Sequence, residues 1–179
     1  LKIDRGLYLH QELALEKANA GKSLVVTTGT GSGKTECFLI PIIDALLREE
    51  ENGTLNDAVR AILIYPMNAL ANDQIKRMRG LLKDHSAIRF GLYNGNTEHD
   101  PGKALEKYQE LEATDQIRKK DVQPLKNEVL SRKEMQERPP HILITNYSML
   151  EHMLLRPKDD IIFSGAQLRY IVLDEAHIY

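Results

Sequence analysis

The chain has 179 residues, 42% hydrophobic and 28% charged, with a formal net charge of −2. That is the size and make-up of one ordinary globular domain, long enough to bury roughly 70% of the surface of its unfolded chain. Near-neutral charge excludes a globally basic nucleic-acid footprint, so any such binding must come from a local cleft. The lone cysteine, Cys37, excludes an internal disulfide, fits a reducing compartment and reads as a small core side chain. Without an apolar run of about 18 residues or a signal-peptide pattern, the expected location is cytoplasmic, with no membrane partner.

Short β-branched apolar runs alternate with helical patterns along the chain. Leu24-Val25-Val26-Thr27, Ala61-Ile62-Leu63-Ile64-Tyr65, Ile88-Arg89-Phe90-Gly91-Leu92, Ile142-Leu143-Ile144-Thr145 and Tyr170-Ile171-Val172-Leu173 each predict a strand buried on both faces. Helical patterns lie between them over about 34–48, 68–83 and 148–155. Repeated strand–helix–strand order predicts an α/β fold with a parallel sheet flanked by helices, whose ligands bind at the carboxyl ends of the strands. One segment breaks the rhythm. Over residues 101–140 roughly two residues in five are charged, with both signs mixed, while Leu105, Tyr108 and Leu111 keep a helical spacing. It reads as a charged, solvated helical insertion, or as an arm touching nucleic acid or a partner domain through Arg118-Lys119-Lys120.

Two stretches carry chemistry. In Thr28-Gly29-Thr30-Gly31-Ser32-Gly33-Lys34-Thr35, glycines follow a predicted strand and precede a predicted helix. Gly31 and Gly33 let the backbone wrap an anion so that successive N–H groups and the helix N-terminus face it, as phosphate-binding loops do. Lys34 would reach the β- and γ-phosphates, and the Thr35 hydroxyl would ligate Mg²⁺. Thr28 stands where G-x-x-x-x-G-K-[ST] has its first glycine, leaving Gly29 to absorb the tight turn. The second stretch, Ile171-Val172-Leu173-Asp174-Glu175-Ala176-His177, brings two carboxylates to a strand's carboxyl end. One carboxylate, Asp174, can hold Mg²⁺, and Glu175 can orient or deprotonate a water. An isolated Asp-Glu pair is weak evidence; with the glycine loop upstream it is strong.

The order TGTGSGKT, PMNALANDQ, YNGNT, ITNYSML, VLDEAH resembles the first RecA-like domain of superfamily-two DEAD/DEAH-box helicases with a DEAH signature, from about Tyr8 to Tyr179, the insertion apart. In that family a small residue commonly occupies the position of Thr28. The resemblance implies that Gln11 reads the adenine edge, although the residue also reads as a surface-helix glutamine. It implies a nucleic-acid track formed by Pro66 and Asn68, by Asn94 and Gly95, and by Thr145 and Asn146, contacting DNA or RNA phosphates without sequence specificity. His177 would link the ATP site to that track and to a second RecA-like domain of the same parent chain, with further complex partners possible. Asn72-Asp73-Gln74, Asn146-Tyr147-Ser148-Met149-Leu150 and Ala176-His177-Ile178-Tyr179 are most similar to the large bacterial helicases of DNA repair and phage defence. Because the chain starts at Leu1 and stops directly after the DEAH strand, the expectation is an incomplete domain, inactive alone. Two other readings share the phosphate loop. A nucleotide-gated nucleic-acid binding module would bind ATP without turnover; a P-loop small-molecule kinase would need an arginine-bearing lid and show no stimulation by polynucleotide.

Overall fold

The computed structural model describes residues 6–29, 31–113, 118 and 121–178, and these divide into two compact units, Leu1–Leu55 and Asn56–Tyr179. In the first, helices α1 (Leu9–Asn19) and α2 (Glu36–Glu51) pack together. Helix α2 buries Cys37, Leu39, Ile42, Ile43 and Leu46, an apolar stripe at three- and four-residue spacing. Burial pushes the Cys37 thiol pKa up, as expected of a core cysteine. The strand expected at residues 24–27 is not formed. The segment joins no ladder, and Val25 is 88% exposed. Apolar β-branched residues supply only a preference for pleated, half-buried surface; without a ladder partner the preference produces no strand.

The second unit is built on a five-stranded parallel sheet in the order β3-β2-β4-β1-β5. Its strands are β1 (Ala61–Tyr65), β2 (Phe90–Tyr93), β3 (Glu128–Val129), β4 (Ile142–Asn146) and β5 (Tyr170–Leu173). Helices α3 (Asn68–Leu82), α4 (Pro101–Glu112), α5 (Arg132–Glu137), α6 (Tyr147–Leu155) and α7 (Pro157–Ser164) accompany them, with a 3-10 turn at Ala176–Ile178. Central β1 is buried at all five positions and pairs with β4 and β5, aligning Leu63 with Ile144 and Val172. Each fully buried aliphatic side chain there contributes roughly 1.5–3 kcal/mol relative to an exposed one. Val59, Ile62, Ile64, Tyr93, Leu143, Met153 and Ile162 continue the core over one face.

Two expectations need adjusting. Edge strand β5 is not buried on both faces: its residues alternate, and Ile171 is 62% exposed. The segment 101–140 holds more than solvated helices, since β3 joins the sheet beside β2, and Met135 of α5 and Val129 of β3 enter the core. Gly91 permits this, because a Cβ there would stand 2.7 Å from Met135 Cε and 2.9 Å from Val129 O. Arg79 of α3 fastens the same segment, donating to the buried Glu128 at 2.9 Å and to Glu112 at 2.6 Å beneath the Tyr108 ring. Lys119 and Lys120 lie outside the described residues.

Candidate functional site

In the first unit the glycine loop leads directly into α2. Gly31 and Gly33 have φ of 73° and 80°, the left-handed region that a Cβ disfavours. Lys34 Nζ donates to Thr28 O at 2.9 Å, and the Thr28 and Ser32 hydroxyls meet at 2.6 Å, so both ends of the loop are drawn together. Thr35 is the N-cap of α2 but makes no side-chain cap bond, leaving its hydroxyl uncommitted to the helix. Gly29 has open space around it, and Thr30 lies outside the described residues.

Gln11, 4% exposed, sits against this loop: its Nε2 donates to Gly33 O at 3.0 Å and its Oε1 accepts from Tyr8 N at 2.9 Å. His10, which sequence reading passed over, hydrogen-bonds Ser32 O through Nε2 at 2.9 Å. Its only signal was adjacency to Gln11. A Cβ on Gly33 would lie 2.5 Å from Gln11 Nε2, so the close approach of α1 requires glycine.

In the second unit the predicted residues gather at the carboxyl ends of β1, β2, β4 and β5. Pro66 and Asn68 follow β1, and Asn146 ends β4; Asn146 Nδ2 donates to Asn68 Oδ1 at 2.7 Å while its Oδ1 caps α6 through Met149 N at 2.8 Å. These three residues line an open cleft of about 310 Å³ with Tyr147, Ser148 and Ile178, and of these Ser148 and Ile178 were given no role by sequence reading. Thr145 is fully buried and donates to Tyr93 O at 2.7 Å. Asn94 is buried too, its Oδ1 accepting from Asn96 N at 2.9 Å. Thr145 and Asn94 therefore shape the strand end from within, while Gly95 is exposed.

Asp174 follows β5 and continues its ladder, its N–H donating to Ile64 O at 3.1 Å. Glu175 has φ of 51°, the one left-handed non-glycine among the described residues. That conformation is uncommon outside glycine and is found often at functional sites. It turns the chain into the 3-10 turn, where His177 Nδ1 lies 3.5 Å from Glu175 Oε2. Among the described residues no helix is long and apolar enough to cross a membrane.

The DEAD/DEAH box helicase family matches residues 8–179. Druantia protein DruE of Escherichia coli is 34% identical over 96% of the chain, which spans 14% of DruE. The uncharacterized ATP-dependent helicase YprA of Bacillus subtilis is 28% identical over 97% of the chain and 18% of its own length. Among solved structures, the DUF1998 helicase MrfA superposes with a TM-score of 0.63 at 26% identity, covering 96% of this chain and 21% of MrfA. The chain thus corresponds to less than a quarter of these relatives. With the parallel sheet, the glycine loop ahead of α2 and the carboxylates after β5 in the family's order, the chain belongs to the DEAD/DEAH box helicases and has their RecA-like fold.

Proposed function

We propose that the chain is the ATP-binding and hydrolysing half of an ATP-dependent nucleic-acid helicase or translocase that follows a DNA, or alternatively RNA, backbone without sequence specificity. The observation that carries this reading is the left-handed Gly31–Gly33 wrap running straight into α2, with Lys34 and Thr35 at its start. Such a wrap aims backbone N–H groups and a helix N-terminus at an anion. Lys34 would stabilise the β- and γ-phosphates, and Gln11 would read adenine. The Thr35 hydroxyl and the Asp174 carboxylate are the hard oxygen donors that Mg²⁺ prefers, and one or two protein ligands suffice when phosphates complete the shell. Bound there, Mg²⁺ would neutralise phosphate charge. Glu175 would accept the proton of the attacking water, and His177, beside its carboxylate, would pass the state of the site to the nucleic-acid track and a second RecA-like domain. Pro66, Asn68, Gly95 and Asn146 would meet phosphates at the strand ends, with Asn94 and Thr145 behind them. A cytoplasmic enzyme fits the free Cys37.

Calorimetry and steady-state turnover of the full-length protein test this. Lys34→Ala should abolish measurable ATP binding. Glu175→Gln should keep binding yet reduce turnover about 10²- to 10⁴-fold, because the amide retains shape and loses the base. Equal ATP binding by Lys34→Ala and wild type removes the loop from the mechanism. ATP binding without any turnover by wild type would support the nucleotide-gated module instead.

A further inference from the structure

The loop that follows β2 has its backbone oxygens held, almost one after another, by the segment that comes next in the chain. Arg132 Nη2 donates to Asn94 O at 3.2 Å and to Gly95 O at 3.4 Å, and Lys107 Nζ donates to Asn96 O at 2.6 Å. The backbone N–H groups of Arg132 and Lys133 donate to Glu98 O and His99 O at 2.9 and 3.3 Å. Every one of these donors belongs to α4 or α5. Both cations are themselves located: the Arg132 guanidinium lies 5.2 Å over the Tyr93 ring, and Lys107 pairs with Glu98 at 2.8 Å. Helix α5 is fixed in turn by Met135 in the core and by the reciprocal Ser131–Glu134 capping box. Arg132 Nε is buried with no partner, so this placement does not satisfy the side chain's own hydrogen-bonding capacity.

A phosphodiester approaching an exposed loop is repelled by carbonyl oxygens and attracted by N–H groups and cations. With three consecutive oxygens turned onto Arg132 and Lys107, the exposed face at Gly95 and Asn96 loses its repulsive groups. We infer that α4 and α5 form a clamp that presets the loop at residues 94–97 for a nucleic-acid backbone, with Arg132 the principal positioning residue and Lys107 the second. The inference rests on the reading above that this loop meets nucleic acid.

The test measures ATP turnover of the full-length protein against a mixed-sequence single-stranded oligonucleotide, over a salt series, for wild type, Arg132→Ala, Arg132→Lys and Lys107→Ala. Arg132→Ala should raise the KM for oligonucleotide roughly tenfold, the scale of a lost charge-assisted hydrogen bond, with kcat at saturation and the salt slope unchanged. Lys107→Ala should raise it less. Arg132→Lys should recover only part, because one ammonium cannot fork across two carbonyls. If Arg132→Ala does not fold, Arg132→Gln carries the same comparison. An unchanged KM overturns the clamp. So does a loss confined to kcat, or a salt slope smaller by about one, which would make Arg132 a direct phosphate contact. Absence of any oligonucleotide stimulation in wild type would instead overturn the underlying nucleic-acid reading.

Discussion

Within Leu1–Leu55 the described residues carry two helices, and the glycine loop keeps its shape through side chains reaching backbone oxygens: Gln11 to Gly33, His10 to Ser32, Lys34 to Thr28. Within Asn56–Tyr179 the main chain does that work, because five parallel strands share ladders and the candidate residues simply follow where each strand stops. The difference teaches where each unit is vulnerable. A ladder bonds N–H to C=O whatever the side chains are, so the sheet unit should fail only when a buried charge or core contact is lost. A loop held by a few side-chain bonds should respond to a single added carbon.

The largest effect should come from Arg79→Ala. It would leave the Glu128 carboxylate, whose side chain is 2% exposed, without its main partner, although burial already pushes the Glu128 pKa up against the pull of Arg79. Breaking such a pair costs about 3–5 kcal/mol, and chemical denaturation should show a loss of that order; the double change Arg79→Met with Glu128→Met should regain most of it. A loss below about 1 kcal/mol would break the contrast by making the sheet unit indifferent to its buried charges.

Acid should act on the sheet unit next. His141 is buried between strands; its Nδ1 accepts from Arg89 N at 2.9 Å, so Nε2 bears the hydrogen and donates to Asn56 O at 3.1 Å. Burial, with Arg60 and Arg89 nearby, lowers its pKa to about 4, offset in part by Asn56 and Asp57. The folded pKa lies below the unfolded value of about 6.5, so the unfolded chain takes up the proton first as pH falls. Stability should therefore be fully present above about pH 6.5 and decline by up to about 3 kcal/mol by about pH 4. Denaturation midpoints at stepped pH check this, and His141→Asn should flatten the slope.

The smallest global effect, and the sharpest local one, should follow Gly33→Ala. A methyl at φ 80° and 2.5 Å from Gln11 Nε2 strains the loop by about 1–3 kcal/mol. Hydrogen exchange should show faster opening in the loop and α1 with little change in β1 and β4, alongside weaker ATP binding. Equal protection in both units would dissolve the distinction between them.

Local pattern alone determined much of this molecule. The limits of β1 and β5, the run of α3 and the glycines at 31 and 33 could be read from apolar periodicity and loop chemistry, because short β-branched runs, helical spacing and left-handed φ leave residue-level signatures. The candidate residues Pro66, Asn68 and Asn146 came from the family resemblance rather than from periodicity, and the structure places all three along one cleft. Tertiary structure decided the rest. Residues 24–27 have the composition of a strand and form none, because a strand exists only with a ladder partner. Glu128–Val129 have no such composition and become one, because Gly91 and Arg79 bring that short segment beside β2. Arg132 lies in a mixed-charge run indistinguishable from a solvated face, yet it bridges carbonyls 38 and 37 residues away. Contacts across such separations leave no mark on local periodicity; they depend on which surfaces the folded sheet brings within hydrogen-bond reach.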